Sequence, residues 1–194
     1  MIGSSSLDSL FEQAMVQVED ERIRDQLELI RQGKDSIVLD LELTRDLDDD
    51  ETLDEEQAQN LGGKIREMGV AEKIKLAMLG NSVARGILIR DTNWQVASFV
   101  LANPKITDSE INDFAKNANL DELVFRAISK NSQWMKNYSV KHGIVSNPKT
   151  PVDVSIRWLK YLKDKDLKNL GKSKGIPQVI SGQCKKLLEK RSKK

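Results

Sequence analysis

With one cysteine (Cys184) and one histidine (His142), this 194-residue chain has few of the residues that build disulfides and metal centres. A lone cysteine excludes an intrachain disulfide and any cysteine-cluster metal site. Aromatic residues make up only 5% of the chain and charged residues 31%, a balance that suits a thin helical array better than a deep globular core. No apolar run approaches the roughly 18–20 residues that span a bilayer, so no membrane span is expected. The start, from Met1 to Asp8, has neither a basic nor an apolar signal region, which makes a cytoplasmic location the expectation. A phosphate loop is missing too. Gly171-Lys172-Ser173-Lys174-Gly175 lacks the upstream glycine and strand of one and reads as a turn between helices.

Charge is abundant and unevenly placed. Lys and Arg total 31 against 30 Asp and Glu, yet residues 1–60 carry 18 acidic and 5 basic side chains. Residues 141–194 reverse this, with 15 basic and 4 acidic side chains. Opposite signs on the two halves bear on partners even when the whole is near neutral.

The acidic part predicts an N-terminal segment, 1–61, that is partly disordered. Leu7, Leu10, Phe11, Ala14, Met15 and Val18, continued by Leu27 and Ile30, recur at the spacing of one or two amphipathic helices. Between Ile37 and Leu43 the odd positions are apolar, which fits either a short strand or a lone extended segment. The run Asp46-Leu47-Asp48-Asp49-Asp50-Glu51, then Asp54-Glu55-Glu56, repels itself and predicts a solvated linker closed by Gly62-Gly63. It lacks the glycine and final glutamate of a calcium loop.

From residue 62 to 194 the pattern becomes regular and all-α. Helical faces end at Gly80-Asn81, Asn103-Pro104 and Asn147-Pro148. Thr107-Asp108-Ser109-Glu110 is a capping box, in which the threonine hydroxyl accepts from the Glu110 amide and the glutamate reaches back. Thr150-Pro151 reads as a capping threonine with proline at the first helical position. Thr92 with Gln95 and Asn119 with Glu122 repeat the cap-plus-three arrangement. A shift of 44 residues lays Val96 on Val140, Val100 on Ile144, Asn103-Pro104-Lys105 on Asn147-Pro148-Lys149, and Phe114 on Trp158. A half-period of 22 lays Asn81 on Asn103. Such periods predict stacked helix pairs, a short α-solenoid.

Leu101-Ala102-Asn103-Pro104-Lys105-Ile106-Thr107 and Val145-Ser146-Asn147-Pro148-Lys149-Thr150-Pro151 resemble the Asn-Pro segments of leucine-rich-variant repeats. The run from Glu72 to Asp91 resembles a HEAT-like domain of bacterial proteins, chiefly deltaproteobacterial. The likeness spans about 70–190 and implies a cytosolic repeat scaffold with no assigned activity. One leucine-rich-variant type carries an iron–sulfur cluster on a cysteine-rich N-terminal segment, and the cysteines for it are missing here.

No catalytic set assembles in the sequence. His142 has neither a nucleophile nor a metal partner beside it, and Cys184 lies on the apolar face of the last helix, where a thiol behaves as a small hydrophobe. A non-enzyme is expected, with no cofactor, no metal and no small-molecule substrate. A candidate binding surface gathers Lys136, Lys141, Arg157, Lys160, Tyr161, Lys163, Lys172 and Lys174, with Arg157, Lys160 and Tyr161 sharing a helix side. Trp134, Tyr138 and Trp158 read as core. The expected function is a protein-binding scaffold or adaptor, which the acidic segment modulates by folding back on the basic array. The alternative is RNA or DNA binding through the basic C-terminal repeats.

Overall fold

The computed structural model describes residue 18, residues 20–45 and residues 55–193, the side chains of 55–58 excepted. Of the one or two helices expected from residue 7 onward, the stretch 7–17 lies outside the described residues, as does 46–54 of the acidic linker with the disorder expected there; Glu55 and Glu56, expected in that linker, instead begin a helix. Among the described residues the chain is all-helical and has no strand. It divides into two compact units, Met1–Ile106 and Thr107–Lys194.

In the first unit, α1 (Glu21–Arg31) begins at Asp20, whose side chain accepts from the Arg22 amide, and buries Leu27 and Ile30. Residues 34–40 then run without regular structure to a single turn, α2 (Leu41–Thr44). Of the two readings of 37–43, the extended segment therefore holds as far as Asp40. No strand forms: the Asp40 side chain accepts from the Glu42 amide, starts a helical turn, and leaves Leu43 fully buried. Two ion pairs fasten this segment down, Lys75 Nζ to Asp35 Oδ1 at 2.6 Å and Lys64 Nζ to Asp40 Oδ2 at 2.7 Å.

Helix α3 (Glu55–Glu67) contains Gly62 and Gly63 in its interior, so the boundary expected near residue 62 falls inside a helix. Each interior glycine costs about 1 kcal/mol relative to alanine, and burial of Leu61 and Ile65 offsets that. Helices α4 (Val70–Leu79), α5 (Ser82–Leu88) and α6 (Trp94–Ala102) follow, and α4 lies along α6. Gly80 allows the sharp turn from α4 to α5, because a Cβ there would stand 2.5 Å from the Leu76 carbonyl oxygen.

The second unit contains α7 (Asp108–Lys116), α8 (Glu122–Lys130), a 3-10 turn (Trp134–Lys136) and α9 (Tyr138–Ser146). It closes with α10 (Val152–Leu159), α11 (Asp164–Leu170) and α12 (Gln178–Ser192). Helix α7 packs along α9, and Gly143 makes this close: a Cβ there would be 3.1 Å from the Ala115 Cβ. Val145, Leu159, Leu162, Leu167, Ile180 and Cys184 form the core, with Tyr138 and Trp158 half-buried against it. Under the 44-residue shift, the bounds of α6 coincide with those of α9.

The Thr107 capping box is present in full: the Glu110 amide donates to Thr107 Oγ1 at 3.2 Å, and the Thr107 amide donates to Glu110 Oε2 at 3.0 Å. The other three caps are displaced. Asn93, not Thr92, accepts from the Gln95 amide, and Asp121, not Asn119, accepts from the Leu123 amide. A short Asp or Asn side chain reaches the amide two residues on, so the Asx residue directly before the first helical residue takes the cap. Pro151 precedes α10 as its N-cap, and the Thr150 hydroxyl is buried with no partner among the described residues.

Candidate functional site

Helix α10 turns Val154, Ser155 and Leu159 inward, which leaves Val152, Ile156 and Arg157 on its outer side. Helix α12 buries Ile180 and Cys184 and exposes Val179, Lys186 and Lys190. The two helices pack together, and Arg191 locks their C-terminal ends. Its guanidinium donates to the Leu162 carbonyl at 2.9 Å, to the Lys160 carbonyl at 2.7 Å and to Asp164 Oδ1 at 2.5 Å. Two of these acceptors are carbonyls of the C-cap of α10 and of the turn after it, so the guanidinium satisfies groups that a helix end otherwise leaves to water, while Asp164 adds a carboxylate from the start of α11.

Between α10 and α12 lies a groove of about 220 Å³. Ile156, Leu159 and Leu187 give it an apolar floor, while Lys160, Lys186 and Lys190 stand along it with no carboxylate among the lining residues. Ile156 is 41% exposed, and Val152, Val179 and Tyr161 are exposed on the same helices or just beyond them. The border of this apolar floor carries one sign of charge.

Of the sequence-predicted site residues, Lys160 alone lines the groove. Tyr161 comes after the end of α10, so it does not continue the helix side of Arg157 and Lys160. It is 52% exposed, its ring centroid lies 5.4 Å from that of Trp158, and Lys160 Nζ stands 5.1 Å from the same ring. Arg157 is exposed on α10. Lys163 places its ammonium 4.9 Å from the Tyr138 ring. The Tyr138 hydroxyl donates to Asp166 Oδ2 and accepts from the Lys163 amide; burial first, then the Asp166 hydrogen bond, push its pKa up. Lys136 and Lys141 belong to the 3-10 turn and α9, where Lys141 Nζ donates to the Lys136 carbonyl at 3.3 Å. Lys172 and Lys174 are exposed in the turn between α11 and α12.

The pairing of Ile156 with Leu187, and of Lys160 with Lys186 and Lys190, is not legible in the sequence. Periodicity could place each on a helix face, but not bring two faces side by side. Cys184 is fully buried, and desolvation raises its thiol pKa. His142 is half-buried on α9; Nδ1 lies 3.3 Å from Ser146 Oγ, and the serine hydroxyl donates back to the His142 carbonyl. That proton is committed to the helix backbone rather than to a base. Among the described residues no group of three or more His, Cys, Asp or Glu side chains converges, and no helix is long and apolar enough to cross a membrane. Compared with protein-family models, curated proteins and solved structures, the chain matches none.

Proposed function

We propose that this chain is a non-catalytic, cytoplasmic helical-repeat scaffold that binds another protein through the groove between α10 and α12. The observation that carries the reading is an exposed apolar floor at Ile156 bordered by Lys160, Lys186 and Lys190. An amphipathic segment bearing apolar residues at i and i+4, flanked by carboxylates, fits that chemistry. The lysines would steer it and the floor would hold it. The repeat reading, of HEAT-like or leucine-rich-variant type, draws support from the 44-residue coincidence of α6 with α9 and from the packing of alternate helices.

The test uses the full chain as bait, alongside Ile156→Asp and a Lys186→Glu/Lys190→Glu variant. The expected outcome is a partner recovered by the parent and reduced at least tenfold by either variant. A partner set that all three recover equally overturns the groove. A second reading, single-stranded RNA binding, draws on the exposed Tyr161 ring beside Lys160. It requires steep salt dependence with heterogeneous RNA and loss of binding in Tyr161→Ala.

A further inference from the structure

The first unit contains a larger cavity that a protein-binding role leaves without a use. About 430 Å³ lies between α3, α4, α5 and the turn after α5, within the range of small-molecule sites. Ile65, Ile87 and Leu88 form an apolar wall. Arg66, Lys73 and Arg90 bring positive charge, and Asp91 is the one carboxylate among the described lining residues. Lys73 Nζ lies 3.0 Å from Asp91 Oδ2, with both side chains mostly shielded, so ammonium and carboxylate neutralise each other. Neither Arg66 nor Arg90 has an ion-pair partner among the described residues, and the cavity is left with a surplus of positive charge at its exposed edge.

Gly62 supplies the second observation. It is buried in the interior of α3 and lines the cavity, where glycine destabilises a helix relative to alanine. Buried glycines usually persist because a neighbour comes too close, as at Gly80. At Gly62 an added Cβ would meet only Arg66 Nη1, at 3.8 Å, an ordinary contact. Gly63, Gly86 and Gly182 also leave open space, but each is half-exposed at the surface. No described protein atom requires the missing side chain at Gly62. The room it leaves belongs to the cavity.

We infer that this cavity binds a small amphiphilic anion: an apolar body packed on Ile65, Ile87 and Leu88, with one carboxylate, sulfonate or phosphate head held by Arg66 and Arg90. Guanidinium groups suit such heads because their planar donors meet two oxygens at once. The inference departs from the expectation of no small-molecule ligand, and it stands whether or not the α10–α12 groove binds a protein.

The test titrates the full chain with 8-anilinonaphthalene-1-sulfonate, an apolar ring system with one anionic group, followed by fluorescence. One saturable site is expected, displaced by octanoate or octyl phosphate and at least tenfold less well by octanol. Either order of the two anions supports the site and identifies the preferred head. Gly62→Leu should weaken the probe at least tenfold with the far-ultraviolet circular dichroism unchanged. Gly62→Ala should keep or raise the Tm, and Arg66→Ala/Arg90→Ala should abolish the preference for octanoate over octanol. Probe binding unaltered by Gly62→Leu, equal competition by octanol, or a lower Tm in Gly62→Ala would each overturn the inference.

Discussion

Asn81, Asn103 and Asn147 are buried polar side chains that hold helix ends together from two directions. Each side-chain oxygen accepts from an amide just ahead: Ala84, Lys105 and Lys149 respectively. Each side-chain amide donates backward, Asn81 to the Glu42 and Arg45 carbonyls, Asn103 to those of Ala77 and Met78, and Asn147 to that of Ala115. Alanine at such a site removes the donor and leaves buried carbonyls with nothing to pair, at about 1–3 kcal/mol for each stranded group. Asn103→Ala should therefore lower the unfolding free energy by about 2 kcal/mol or more, whereas Asn119→Ala, at an exposed site, should change it by less than about 0.5 kcal/mol. Urea denaturation of both variants checks this.

At the scale of elements, helix existence was readable and helix partnership was not. The apolar spacing around Ile111 and Phe114, the Thr107 box and the stops at Asn103 and Asn147 all correspond to observed helix bounds. Displaced caps at Asn93 and Asp121 show why starts are harder: Thr92 and Asn93, or Asn119 and Asp121, read alike as caps until the backbone chooses which oxygen faces the amide. The candidate lysines were legible as charge, but only packing of α12 on α10 singles out Lys160, Lys186 and Lys190. Arg191, one of the many basic residues of 141–194, is the clamp on that packing. Arg191→Met should loosen the C-terminal turns of α12, with faster hydrogen exchange at 186–192 and a Tm lowered by several degrees. Unchanged exchange would show that the packing of Ile180, Cys184, Leu187 and Leu188 holds α12 without the clamp.

At the scale of the whole molecule, several carboxylates among the described residues are paired inside their own unit. Asp35 and Asp40 pair with Lys75 and Lys64 in the first unit, and Asp153 pairs with Arg126 at 2.9 Å in the second. The expected fold-back of residues 40–56 on the basic repeats rests in part on 46–54, outside the described residues, while the described Asp40 is committed to Lys64. Hydrogen bonds from Lys75, Lys64 and Arg126, respectively, hold the pKa values of Asp35, Asp40 and Asp153 below the ordinary carboxylate range. A depressed folded-state pKa contributes stability above the unfolded value of about 3.9 and loses it as pH falls through the folded value. Stability should therefore fall as pH is lowered from about 5 toward 3, and the fall should be shallower in Asp35→Asn, where one of these titrations is removed. Urea midpoints measured across that range test the sign.

The backward reach of the three asparagines also orders events in time. The carbonyls at Glu42 and Arg45 wait for Asn81, those at Ala77 and Met78 for Asn103, and that at Ala115 for Asn147. On a ribosome, each helix end thus stays without its side-chain donor until some 25–39 further residues have emerged. Nascent chains from which residue 103 has not yet emerged should expose the unpaired carbonyls of Ala77 and Met78 to a chaperone, and chains from which it has emerged should have that edge closed.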